Sequence, residues 1–107
     1  MTNFTDREKA EEARFARDEE MQFRIHARRN RLLGAWAAAR MGLLPVEAES
    51  YAKSVVQADF EESGDEDVIR KVLGDLIAAG IEAEEAEVRV ALKAKEAEAR
   101  RALMGEV

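Results

Sequence analysis

Three interruptions decide what this chain can fold into. Gly42 to Pro45, Ser63-Gly64 and Gly80 divide it into four stretches, and in each of them apolar residues recur three and four positions apart. No stretch has the two-residue alternation and β-branched enrichment of a strand. Connections of a few residues between amphipathic helices favour antiparallel neighbours, so the expected architecture is all-α, an antiparallel bundle of about four helices. At 107 residues the chain has room for one such domain.

From Met21 to Met41 the positions Met21, Ile25, Leu32, Trp36 and Ala39, widened by Leu33 and Ala37, trace a helical stripe. Gly42 suits a left-handed cap, and Pro45 pushes the residue before it out of helical geometry. Gly34 is an interior helix glycine that costs about 1 kcal/mol relative to alanine, either tolerated or required by a close helix contact. Pro45 fits the first turn of a second helix, with Glu47 and Glu49 at its positive end. Its apolar face is Ala48, Tyr51, Ala52, Val55 and Val56, extended by Phe60. Asp65 is the expected cap of a third helix, built on Val68/Ile69, Val72/Leu73 and Leu76/Ile77 and ended by Gly80. A fourth is expected from near Glu82, with Val88, Leu92, Ala99 and Leu103 along one face.

Residues 1–20 stand apart from this domain of residues 21–107. They carry four basic and seven acidic side chains, and their only large apolar groups apart from Met1 are Phe4 and Phe15. Eleven residues of helix bring those two rings onto nearly one face, with Glu8, Glu11 and Glu12 between them. Such a stripe buries too little to offset about 1 to 2 kcal/mol of backbone ordering per residue, so the segment is expected to be mobile in the free protein. Its local signals still favour helix. Thr5-Asp6-Arg7-Glu8 fits a capping box, and the pairs Glu11/Arg14 and Glu20/Arg24 are helix-spaced, each contributing about 0.2 to 0.5 kcal/mol. A marginal helix with two spaced aromatics is what a segment that folds on a partner looks like.

The chemistry available is thin. Without cysteine there is no disulfide scaffold and no Cys-ligated metal. His26, the only histidine, has no acid and nucleophile arranged around it in the sequence. The acids Glu61, Glu62, Asp65, Glu66 and Asp67 lack the spacing of a calcium loop and read as caps and solvated charge. No phosphate-cradling glycine loop occurs, so no enzyme and no cofactor is expected. Net charge is −6, which opposes nucleic-acid binding by the chain as a whole. The exception is local: Arg24, Arg28 and Arg31 share a helix face, with Arg29 beside them. They could grip an acidic partner or RNA, but pairing with the acidic stretch 47–67 inside the bundle is the stronger expectation. The longest apolar stretch, Leu32–Leu44, has thirteen residues against the roughly 20 that span a bilayer, and no leader is visible, so a cytoplasmic protein is expected.

One block is more specific than any pattern. Ala27-Arg28-Arg29-Asn30-Arg31-Leu32-Leu33-Gly34, followed by Trp36-Ala37-Ala38 and Met41-Gly42, resembles the zeta subunit of the alpha-proteobacterial F-type ATP synthase. So do Phe4, Asp6-Arg7-Glu8, Ala10, Phe15 and Phe23, and further on Ala58-Asp59-Phe60-Glu61-Glu62, Gly64, Asp67-Val68, Arg70-Lys71 and Asp75. The likeness covers most of the chain and loosens after Ile81. It implies a small four-helix inhibitor of ATP hydrolysis by the catalytic head, whose mobile N-terminus becomes helical as it enters an alpha/beta interface and reaches toward the gamma stalk. The positions it carries over are Phe4, Arg7, Glu8, Glu12, Phe15 and Asp18. The implied partners are the alpha, beta and gamma subunits, and the implied place is the cytoplasmic face of the inner membrane, reached through the synthase. A helical adaptor that binds an acidic partner or RNA through the Arg24–Arg31 face is the competing expectation.

Overall fold

The computed structural model describes the backbone of residues 2–61 and 64–105 and the side chains of residues 17–59 and 64–105. Among these the chain forms four helices and no strand: α1 (Thr2–Met41), α2 (Pro45–Glu61), α3 (Asp65–Ala78) and α4 (Glu85–Gly105). The all-α, four-helix expectation holds. The helical backbone runs on without a break from the expected Met21–Met41 segment back to Thr2, so Thr5 lies inside α1 and does not start it.

The glycines end helices as their sequence positions suggest. At the end of α1, Gly42 has φ +71°; its N–H donates to Ala39 O and that of Leu43 to Ala38 O. Gly80, at φ +81°, repeats the arrangement with Ile77 O, while Ile81 N–H reaches Leu76 O. Both are Schellman caps, closed by a left-handed residue that glycine adopts without a Cβ penalty. The helix starts use half a capping box. Glu47 Oε1 accepts from Leu44 N–H at 2.9 Å, and Glu87 Oε1 accepts from Glu84 N–H at 3.3 Å. That places the start of α4 at Glu85, three residues later than the charge pattern suggested. At α3 the N-cap is Gly64, without a side-chain cap; Asp65 is already helical and its carboxylate is used elsewhere.

The core joins Leu33 and Ala37 of α1, Val55 of α2, Val68, Ile69, Val72 and Leu76 of α3, and Val88, Ala91 and Leu92 of α4. On α1 the buried face is rotated from the expected stripe. Ile25, Arg29, Leu33 and Ala37 form it at a strict four-residue repeat, flanked by Asn30, Gly34 and Ala38. Leu32 and Trp36 are half-buried and Ala39 is exposed. The repeat passes through Arg29, which a stripe drawn from apolar residues alone leaves out. Ile77, expected on the α3 core face, is exposed.

Polar clasps reinforce the packing. Arg89 of α4 forks onto Glu66 of α3 at 2.7 and 2.9 Å and also reaches Glu85, and this bonding holds the Glu66 carboxyl below its ordinary range. Tyr51 of α2 donates to Asp75 Oδ2 of α3 at 2.9 Å, and Lys71 donates to the same oxygen at 3.1 Å while lying 5.4 Å from the ring centroid. Burial, then the bond to Asp75 and its charge, raise the Tyr51 phenol above its ordinary value of 10.0. A group whose pKa is raised on folding stabilises the fold fully below its unfolded pKa and loses that contribution as pH climbs past it. Tyr51→Phe should therefore cost about 1 kcal/mol at neutral pH, and the gap to the parent should shrink above about pH 10. Thermal melts of the two proteins across that range decide it; a gap independent of pH would remove the proton linkage.

Candidate functional site

α1 is much longer than its neighbours. Its 40 residues span about 60 Å at about 1.5 Å per residue, whereas α2, α3 and α4 have 17, 14 and 21. The molecule is accordingly 65 Å long and 26 by 22 Å across. Residues 17–20 are exposed, Met21 is half-buried, and the first buried side chain described on α1 is Ile25. α4 runs antiparallel to α1 and ends beside Phe23, where Leu103 borders the same groove. The N-terminal turns of α1 therefore extend past the end of the bundle.

Of the residues singled out for partner binding, Asp18 lies on this projecting part and is exposed. The side chains of Phe4, Arg7, Glu8, Glu12 and Phe15 lie outside the described residues; their backbone belongs to the same helix.

Where the projecting turns meet the bundle, Arg29 is 1% exposed. Its Nη1 is 3.0 Å from Asp65 Oδ1 at the start of α3 and 3.5 Å from Glu96 Oε1 on α4, and Nη2 is 3.9 Å from Asp59 Oδ2 near the end of α2. Its Nε donates to Asn30 Oδ1 at 3.1 Å. One guanidinium thus ties α1 to all three other helices, one turn beyond the first buried side chain, Ile25. His26 adds a lesser link, with Nε2 3.6 Å from Glu96 Oε1. The expected pairing of the arginine cluster with the acidic stretch 47–67 is seen at Arg29, whose position four residues after Ile25 and four before Leu33 turns it inward. The acidic stretch supplies two of its partners; Glu96 was not foreseen. At the opposite end, Arg40 pairs with Glu87 at 3.0 Å and lies 5.2 Å from the Trp36 ring centroid.

Arg24, Arg28 and Arg31 are exposed on another side of α1, along a groove of about 880 Å³ between α1 and α2. Lys53 stands on the α2 side. Arg24 lies 3.5 Å from Glu20 in an exposed pair. Among the described residues, no group of three or more His, Asp or Glu could hold a metal ion, and no helix is long and apolar enough to cross a membrane.

A family model described as ATPase inhibitor subunit zeta matches residues 1–102. A protein solved by solution NMR is 50% identical to the chain and superposes with a TM-score of 0.71, over 81% of this chain and 99% of that one. No curated protein matches.

Proposed function

Since the chain belongs to the ATPase inhibitor subunit zeta family, we propose that it restrains ATP hydrolysis by the catalytic head of an F-type ATP synthase, as a regulator and not a catalyst. Residues 1–20 are the inhibitory segment and residues 21–107 the domain that carries it. In the free protein the segment exchanges between helix and open chain, because an unsupported helix of this length is marginal in water. Inside an interface between alpha and beta subunits it becomes a full helix that reaches toward gamma and opposes rotation in the hydrolytic direction. The protein acts at the cytoplasmic face of the inner membrane, held there by the synthase, without nucleic acid and without entering the bilayer.

The observation that carries this reading is the projection of α1 past the bundle, exposed from residue 17 to residue 20 and first buried at Ile25. A wedge needs a stiff rod, apolar anchors and charge complementarity, and no catalytic group. Phe4 and Phe15 are the anchors; Arg7, Glu8, Glu12 and Asp18 supply the charge around them.

The test is ATPase activity of the cognate catalytic head with increasing amounts of the protein. Hydrolysis should fall in the presence of the full chain, and deletion of residues 1–18 should abolish the effect while the bundle stays folded. Phe4→Ala/Phe15→Ala should raise the half-inhibitory concentration by about three orders of magnitude, two buried aromatic anchors being worth about 2 kcal/mol each. Unchanged potency in that variant would remove the anchors, and full inhibition by the deleted chain would remove the wedge.

A further inference from the structure

The groove between α1 and α2 is lined by residues from Phe23 onward, and its chemistry is specific. Its floor holds Ala35, Ala48, Ala52 and Val56, side chains small enough to let another backbone approach closely. Phe23, 55% exposed, and Leu103 close one end. From Phe23 to Ala35 the α1 wall is about 18 Å long, or three turns of a facing helix. Arg24, Arg28, Arg31 and Lys53 outweigh Glu49 along it and make its rim positive on a chain whose net charge is −6. Two of these cations, Arg24 and Lys53, pair with exposed glutamates, Glu20 at 3.5 Å and Glu49 at 3.8 Å. Pairs of that kind exchange readily for a better partner.

We propose that this groove is a second docking site, and that it takes an acidic amphipathic helix of about three turns on the surface of the catalytic head. The identity of the partner rests on the inhibitor reading above; the chemistry of the occupant rests on the groove. An apolar stripe on the incoming helix covers the alanines, and acids on its flanks meet the arginines of α1 and the lysine of α2. Continuity selects the head over other sources. The groove begins on α1 three residues beyond the inhibitory segment, so whatever holds that segment brings its own surface within reach. A floor of alanines with one exposed ring, Phe23, at its end suits a helix better than a run of RNA bases, which needs successive stacking rings. The wedge then blocks rotation while the groove sets the rate of docking and its salt sensitivity, because rim charges act mostly on encounter and orientation.

The experiment measures binding of the full chain to immobilised cognate catalytic head, together with ATPase inhibition, for four proteins. These are the parent, the arm variant Phe4→Ala/Phe15→Ala, the groove variant Arg28→Glu/Arg31→Glu, and their combination. Ala35→Trp, which fills the floor from an exposed position, is a fifth that leaves the charge alone. Melting temperatures check that each is folded. The groove variant and Ala35→Trp should each bind about tenfold more weakly yet still inhibit fully at saturation, and the groove variant should lose most of the salt dependence. The arm variant should lose inhibition while retaining residual binding that disappears in the combined variant. Unchanged affinity and salt dependence in both groove variants would overturn the proposal whatever the inhibition. Binding without inhibition by the parent would overturn the inhibitor reading instead, and the groove would still be judged by its own variants. Absence of binding by the parent would overturn both. Light scattering of the free protein covers the remaining occupant: self-association abolished by Arg28→Glu/Arg31→Glu would assign the groove to a second copy, against the proposal.

Discussion

Arg29→Ala should lower the unfolding free energy by about 3 kcal/mol, measured by denaturant titration. The guanidinium is nearly water-free, while the acids around it, Asp59, Asp65 and Glu96, have side chains 21%, 53% and 33% exposed. Truncating one partner of a buried ion pair typically costs about 3 to 5 kcal/mol because the other charge is stranded. Here the stranded acids reach water, which places the expectation at the lower end. A second contribution is the aliphatic stem, whose methylenes are worth about 0.8 kcal/mol each when buried. Arg29→Met keeps much of that stem and should recover a large part of the loss. Asp65→Asn, which changes a half-exposed partner, should cost under about 1 kcal/mol. If Asp65→Asn were as damaging as Arg29→Ala, the charge pairing and not the buried stem would dominate.

Gly34→Ala should destabilise the protein by about 2 kcal/mol even though alanine is the better helix former by about 1 kcal/mol. A Cβ built at Gly34 comes 2.6 Å from the Cα of Ala52 and 3.3 Å from Val55 Cγ2. The first of these is backbone, so relief requires α1 and α2 to separate along the crossing that closes the core and shapes the groove. Gly74 is the internal control. It also lies inside a helix, a Cβ there meets nothing within 4 Å, and Gly74→Ala should stabilise by about 0.5 to 1 kcal/mol. Opposite signs for one substitution at two helical glycines would be read directly from melting temperatures. Equal signs would mean that the α1–α2 approach relaxes more freely than its geometry suggests.

These two residues also show where the sequence is legible. Helix ends were readable because Gly42, Pro45 and Gly80 act through local backbone geometry, which needs no neighbours. The core faces of α2, α3 and α4 were largely readable because their apolar residues keep one period. The face of α1 was not, since its register passes through Arg29, and an arginine is inward only if acids from other helices meet it. Nothing in a one-dimensional pattern assembles Asp59, Asp65 and Glu96 around one point. Gly34 was ambiguous for the same reason: only the position of Ala52 across the interface distinguishes tolerance from necessity. Asp65 looked like a helix cap by type and place, and its carboxylate was claimed by a more distant cation. In the candidate site, the arginines at 24, 28 and 31 were visible as one face, but the alanine floor beside them belongs to a surface made by two helices.

A rod gripped at one end behaves as a cantilever. Load applied near its tip is felt as a bending moment at the first gripped turn, which in α1 runs from Ile25 to Arg29. The Arg29 tether to three helices spreads that moment across the whole body, so the fold is braced where leverage is greatest.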